Sequence, residues 1–322
     1  MKYEKVFKTT LAIIGFPLML ANMYSNKKHK VSGLGSLVKI NDRLIHTIDT
    51  GRNDSKYTVI LDAGLSCCSI DWYYIQPKVS EFSQVISFDR AGYGWSSSAK
   101  GKYTSENVVE DLIKVLEKIN AKPPYILVGH SFGGLNMRLF ASKYPEKVAA
   151  LILIDSVHEN RYLSSEWDAE RKNIHKKNLR LFRLGYITSS IGIARLLKQP
   201  VGRKRFPDPY QKYINYIGYN PKSFEAVYKE FFYSEESAFQ LKGSKPLKKE
   251  LPITVLSSNN NDISWIEHQN LLSNLTNNTI QIKADNSHSI HLENPDIVIN
   301  TIKEVINELD KKSPFYPDES FN

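Results

Sequence analysis

Short apolar runs alternate along this chain with stretches of helical periodicity. Residues 58–61, 85–88, 125–128, 150–154, 253–256 and 280–283 are rich in Val, Ile and Leu and read as strands. Residues 37–40 and 44–49 read as a hairpin turning at Asn41-Asp42. Between the strands, residues 107–119 place apolar side chains at 108, 109, 112, 115, 116 and 119, a helical stripe. Residues 135–143 and 297–309 read as further helices, the last with Pro295 just ahead of its first turn. Apolar strands alternating with helices predict an α/β fold with a mostly parallel central sheet flanked by helices on both faces.

The alternation stops between residues 158 and 250. Helical patterns persist at 171–184 and 223–232, but no strand pattern occurs, so this segment reads as a helical cap insertion. The expected organisation is an N-terminal membrane anchor or signal segment (1–30), a core built from 31–157 and 251–312, the cap (158–250) and a flexible tail (313–322) holding Pro314 and Pro317. The chain has no internal repeat.

The N-terminus changes the picture next. Residues 9–24 carry no charge and lie between Lys2, Lys5 and Lys8 on one side and Lys27, Lys28 and Lys30 on the other. As a helix this run would span about 24 Å, against about 30 Å for a hydrocarbon core. Lysines on both flanks suit a membrane edge. Ala21-Asn22-Met23 is a poor cleavage site. The expectation is an uncleaved anchor and a membrane-associated, extracytoplasmic protein; the alternative is a secreted protein whose signal is cleaved.

Composition adds limits. With 41% hydrophobic and 24% charged residues, the 322-residue chain can bury a large core. The net charge of +9 comes without any zinc-finger, RNA-binding or helix-turn-helix pattern, so no nucleic-acid partner is expected. The basic runs at 171–177 and 203–205 read as solvated helix faces, or as contacts for anionic lipid or an acidic substrate. Cys67 and Cys68 are adjacent, which suits neither a disulfide framework nor a zinc site. No metal or organic cofactor is expected.

One motif carries chemistry. Gly129-His130-Ser131-Phe132-Gly133 matches G-x-S-x-G, with a strand before it and a helix after it. A tight strand-to-helix turn strains the serine, exposes its hydroxyl and sets it at a helix N-terminus. Ser131 is the expected nucleophile. An acyl-transfer site also needs oxyanion donors; the backbone N–H groups of Phe132 and of Leu65, in the Asp62-Ala63-Gly64-Leu65 turn, are the candidates. His288 is the expected base, ahead of His291, because it comes first after the last strand at the edge where open α/β sheets hold their sites. Two acids satisfy the Ser…Asp…His order: Asp155, directly after strand 150–154, and Asp262, which follows strand 253–256 across the polar run 257–261.

From residue 37 to 309 the chain resembles the α/β-hydrolase superfamily, most closely bacterial members with an N-terminal membrane segment. The resemblance is carried by Leu61-Asp62-Ala63-Gly64, by Ser87-Phe88-Asp89-Arg90-Ala91-Gly92-Tyr93-Gly94-Trp95-Ser96, by the Ser131 motif, by Leu153-Ile154-Asp155-Ser156-Val157-His158-Glu159 and by Ser287-His288-Ser289-Ile290-His291-Leu292. It implies an α/β-hydrolase fold, Ser131 as nucleophile and His288 as base. Many members carry the acid after the seventh strand, near Asp262; those most similar keep it after the sixth, here Asp155, which is therefore the expected acid with Asp262 the alternative. The Arg90–Ser96 turn reads as structural packing beside the site. A serine at the elbow argues against dehalogenase and epoxide-hydrolase chemistry, which in this fold uses an aspartate there.

The expected function is hydrolysis of a carboxylic ester or related acyl bond of a small-molecule substrate through an acyl-enzyme. The same triad would serve an amidase, peptidase or acyltransferase. The non-enzymatic alternative is a membrane-tethered receptor or scaffold on the same fold.

Overall fold

The apolar runs at 58–61, 85–88, 125–128, 150–154 and 253–256 form strands buried on both faces, whereas 280–283 forms an edge strand with no fully buried residue. The computed structural model describes residues 2–52 and 54–312, with side chains from residue 13 onward; the expected flexible tail lies outside the described residues. Strands β1 (Ser36–Ile40), β2 (Arg43–Thr50), β3 (Thr58–Asp62), β4 (Gln84–Phe88), β5 (Tyr125–His130), β6 (Val148–Ile154), β7 (Ile253–Ser257) and β8 (Thr279–Lys283) form one sheet. Its order is β1-β2-β4-β3-β5-β6-β7-β8. β2 is antiparallel to β1 and β4, and the pairs from β4 to β8 are parallel. The hairpin turns at Asn41, whose φ of 50° is the left-handed geometry that Asn tolerates.

The helices are α1 (Lys2–Lys28), α2 (Ile75–Val79), α3 (Ser105–Lys118), α4 (Phe132–Lys143), α5 (Ala169–Ser189), α6 (Ile193–Leu196), α7 (Gln211–Ile217), α8 (Pro221–Phe232), α9 (Ser234–Lys242), α10 (Ile263–Leu272), α11 (Ile290–Glu293) and α12 (Pro295–Lys312). Alternate strand residues feed two cores. Ile60, Ile86, Leu127, Leu151 and Val255 meet α3, α4 and α10 on one face. Val59, Val85, Ile126, Ile152 and Leu256 meet α2 and α12 on the other. Each fully buried aliphatic side chain contributes about 1.5–3 kcal/mol.

Between β6 and β7 the described chain forms α5 to α9 and short 3₁₀ turns, and no strand. This insertion sits on the core through Phe206, Tyr213, Ile214, Ile217, Ala226 and Val227, packed with Cys68, Ile70, Tyr93 and Tyr103. Much of the aromatic cluster around residues 210–219 is thus interface core. The parallel registers align the C-terminal strand ends: Asp62 pairs with Gly129, Gly129 with Leu153, and Leu153 with Val255. The loops that leave this edge build the site.

The N-terminal expectation is corrected. Among the described residues no helix is long and apolar enough to cross a membrane, which overturns the membrane-spanning anchor and the membrane association and localisation built on it. The cause is visible in α1. Its uncharged part is short and contains Pro17 and the polar Asn22, which faces the insertion. Asn22 is 5% exposed, and its Nδ2 donates to Ser189 O (3.0 Å) and Ser190 O (3.2 Å) at the end of α5. One helical turn on, Asn26 Oδ1 accepts from Arg195 Nη2 at 2.7 Å.

This docking makes a prediction. Asn22→Ala removes two hydrogen bonds worth about 1 kcal/mol each, so limited trypsin digestion within α1 should speed up roughly 30-fold while the melting temperature of the rest barely moves. Unchanged cleavage kinetics would show that Asn22 does not hold α1.

Candidate active site

Ser131 sits at the junction of β5 and α4 with φ 52° and ψ −119°, a strained backbone for a residue with a side chain. The strain is held by bonds on both sides. Ser131 N donates to Ile154 O at 3.1 Å, while its carbonyl accepts from Gly134 N, Val157 N and Ser156 Oγ, each at 3.1 Å. Gly129 permits the turn, since a Cβ there would lie 2.4 Å from Gly134 Cα. The turn after β3 runs alongside: a Cβ on Gly64 would lie 3.1 Å from Ser131 Cβ and 2.9 Å from His130 Nδ1. Phe132 is the first residue of α4, and its ring is fully buried, edge-on to Tyr162 at 5.6 Å. Leu65 follows Gly64 and is half-buried.

His288 lies in the loop after β8. Its Nδ1 is 2.6 Å from Asp155 Oδ2, and its side chain is 44% exposed. Asp155 is fully buried directly after β6 with φ 39°. Its other oxygen, Oδ1, accepts from Ser258 N (2.9 Å) and Trp265 Nε1 (3.0 Å). Burial pushes this carboxyl up, but the bonds from His288, Ser258 and Trp265 outweigh it and hold Asp155 below the ordinary carboxylate range. The indole of Trp265 also stands edge-on to His288, with ring centroids 5.3 Å apart. Among the described residues no hydrogen bond joins Ser131 Oγ to His288; in unliganded sites such contacts often tighten only when substrate binds.

Asp262 goes elsewhere. It caps α10, its Oδ1 accepting from Ser264 Oγ (2.8 Å) and Trp265 N (3.3 Å), and it pairs with Arg161 at 3.3 Å on a 45% exposed side chain. His291 is buried with both ring nitrogens unpaired, its ring 4.1 Å from that of His130. His130 Nε2 bonds His288 O at 2.9 Å and so steadies the loop that carries His288. Trp265 and Ser258 were not legible as site residues. Trp265 stands three residues after a capping aspartate, but the partner of its indole N–H is 110 positions away.

Comparison with known proteins identifies the family. A family profile described as the alpha/beta hydrolase fold matches residues 57–295, well over half of the chain. The chain belongs to the α/β-hydrolase family. This hydrolase is 26% identical over 287 residues to the uncharacterized protein YbdG of Bacillus subtilis, covering 83% of each chain. It is 33% identical over 86 residues to Methylesterase 1 of Arabidopsis thaliana, covering 26% of this chain and 33% of that one. Among solved structures it is similar to the epoxide hydrolase CorEH, with a TM-score of 0.68 at 17% identity, covering 85% of this chain and 98% of that one. At that identity the likeness shows the fold alone.

The insertion of the hydrolase reaches the site. Arg203 Nε donates to Asp71 Oδ1 (2.8 Å) and Nη1 to Ser289 Oγ (3.2 Å), next to His288. In the other basic run, Arg171 donates to Arg161 O at 3.1 Å. Burial pushes the Cys67 thiol above its ordinary value and that of Cys68 well above it, so neither offers a thiolate. Among the described residues no three His, Cys, Asp or Glu side chains gather as metal ligands.

Two buried histidines, His130 and His158, predict that the fold loses stability in acid. Burial lowers His130 to about 3, with the charge of neighbouring His288 acting the same way. Burial lowers His158 to about 4. Both therefore stay neutral in the folded protein where the unfolded chain, titrating near 6.5, takes up protons. Their stabilisation is complete above about pH 6.5 and is lost as pH falls toward the folded values. His158 Nδ1 also accepts from Asn160 N at 3.2 Å, a cap that asparagine can imitate. His158→Asn should reduce the stability lost between about pH 7 and about pH 5 by about 1–2 kcal/mol in urea unfolding. An identical pH slope would place the titration elsewhere.

Proposed function

We propose that this hydrolase cleaves carboxylic esters or closely related acyl bonds of small molecules through an acyl-enzyme on Ser131. The observation that carries the reading is the 2.6 Å bond from His288 Nδ1 to the buried Asp155 carboxylate, at the same sheet edge as a strained serine. The esterase name of one relative is in line with it.

In this reading Ser131 Oγ attacks the acyl carbon as His288 Nε2 takes its proton. Asp155 keeps the other imidazole nitrogen protonated and stabilises the imidazolium that forms. Negative charge develops on the former carbonyl oxygen, and the backbone N–H groups of Phe132 and Leu65 receive it. His288 then returns the proton to the leaving alcohol. A water, activated by the same base, releases the acid and frees Ser131. A hydroxyl nucleophile suits attack on a carbonyl carbon; displacement at an alkyl or epoxide carbon in this fold is the work of a carboxylate in that place.

Hydrolysis of p-nitrophenyl acetate tests the assignment. Ser131→Ala should lose about 10⁶-fold in kcat and keep its melting temperature within a few degrees. Asp155→Asn should lose about 10⁴-fold, whereas Asp262→Asn should stay within about threefold of wild type, having lost only part of a helix cap. A dead Asp262 variant beside a healthy Asp155 variant would reverse the choice of acid, and residual turnover above about a tenth in Ser131→Ala would sink the nucleophile.

A further inference from the structure

Outside the triad, the most completely bonded charged side chain is Arg90, in the turn after β4. It is 4% exposed. A guanidinium has five N–H donors in a rigid fork, and all five have acceptors here. Nε and one Nη2 hydrogen go to the two oxygens of Glu230, at 2.7 and 3.0 Å. The Nη1 hydrogens go to Asp62 Oδ1 and to Ala63 O, both at 2.6 Å. The remaining Nη2 hydrogen goes to Gly64 O at 2.8 Å.

Two of these acceptors are backbone carbonyls of the turn beside Ser131. In a trans peptide the C=O and the following N–H point in opposite directions. Fixing Gly64 O therefore fixes the aim of the Leu65 N–H, and fixing Ala63 O does the same for the Gly64 N–H. A donor that is to meet a developing oxyanion must be aimed in advance, because hydrogen bonds weaken steeply as the angle closes.

The other half of the fork is held from the inserted segment. Glu230 lies on α8, is 2% exposed, and accepts a further bond from Tyr93 Oη at 2.7 Å. On the opposite side, Asn136 Nδ2 of α4 donates to Asp62 Oδ2 at 2.8 Å. The chain of bonds thus runs from the helix behind the nucleophile, through Asp62 and Arg90, to the insertion. A network meant only to glue the layers together would not need the two loop carbonyls.

We propose that Arg90 and Glu230 are positioning residues for the oxyanion donor at Leu65, so that the insertion, through Glu230, completes the oxyanion hole without touching substrate. This rests on the acyl-transfer reading of Ser131. Seating α8 on the core and aiming the Leu65 N–H are thereby coupled: displacement of α8 would leave Arg90 with two unmatched donors and loosen its hold on the turn, whose Gly64 O also accepts from Cys67 N at 3.1 Å.

The test uses full-length Glu230→Gln, which keeps the shape of the side chain but places an amide NH₂ against the fork. kcat and KM are measured on a p-nitrophenyl ester well below the melting temperature. In parallel, inhibition is measured with an alkyl trifluoromethyl ketone, to whose carbonyl Ser131 adds to leave an oxyanion. The expected result is a fall in kcat of at least about tenfold, against about 10²–10³ for outright loss of an oxyanion donor, with KM within about threefold. The ketone should weaken by a factor similar to that in kcat. If Glu230→Gln does not fold, Tyr93→Phe removes one bond to Glu230, and both kcat and ketone affinity should fall by about threefold or more. A lowered melting temperature with kcat and ketone affinity unchanged overturns the proposal, as does a fall in kcat without weaker ketone binding. Should Ser131→Ala retain turnover, the acyl-transfer reading and this proposal fall together; a dead Ser131→Ala beside an unaffected network variant overturns this proposal alone.

Discussion

A carboxylate with no exposed surface must find donors for its oxygens or give up its charge. Asp155 finds three, each from a different segment: Ser258 N–H from the loop after β7, the Trp265 indole from α10 and His288 from the loop after β8. None of the three is near it in sequence. The edge of the sheet can therefore close in one way only, with β7 and β8 in register and α10 docked, and His288 is held by the same condition. Removing one donor would leave a buried charge partly unmatched, at a cost of about 1–3 kcal/mol or more.

Ser131 and Asp155, both non-glycine residues with positive φ, sit at the ends of adjacent strands, and each is tied to the next strand by a backbone bond: Ser131 N to Ile154 O, and Asp155 N to Leu256 O. Strain at one strand end is thus braced by the next. Arg90 meets a similar need on the other side of Ser131, where it adds bonds to Ala63 O and Gly64 O in a turn whose own backbone bond is Cys67 N to Gly64 O. The site is built from turns that could not hold their shape alone, each tied by a buried charged or polar group to a distant element.

Much of the frame was legible because burial on both faces leaves an unmistakable run of aliphatic residues, and because the Ser131 motif needs glycines at fixed places. The helix α10 escaped notice for a physical reason. Its buried face is Trp265, Gln269 and Leu272, and a buried glutamine that donates to Ser156 O at 2.7 Å erases the apolar stripe. Spacing alone also left Asp155 and Asp262 open, since both follow strands at one edge; the contacts divide them, one carboxylate on His288 and the other on a helix N-terminus. Lysines flanking an uncharged run suit a membrane edge, but the pattern does not show that Asn22, near the end of that run, binds the end of α5 through its amide. The five bonds of Arg90 could not be read at all, because their partners come from residues 62 to 64 and from residue 230.

The place of the insertion has a consequence for how the molecule is made. β6 and β7 pair directly, Leu151 opposite Ile253, although the whole insertion separates them in the chain. Closing a loop of that length costs about 2 kcal/mol more in chain entropy than a ten-residue connection, and the pairing that repays it also brings Ser258 N–H, one of the three donors, to Asp155. On the ribosome, six of the eight strands emerge with an acid at their growing edge and no partner yet synthesised. Until β7 arrives, that edge is open to water and to any passing strand, so the interval of synthesis that spans the insertion is when the nascent chain most needs a chaperone's cover.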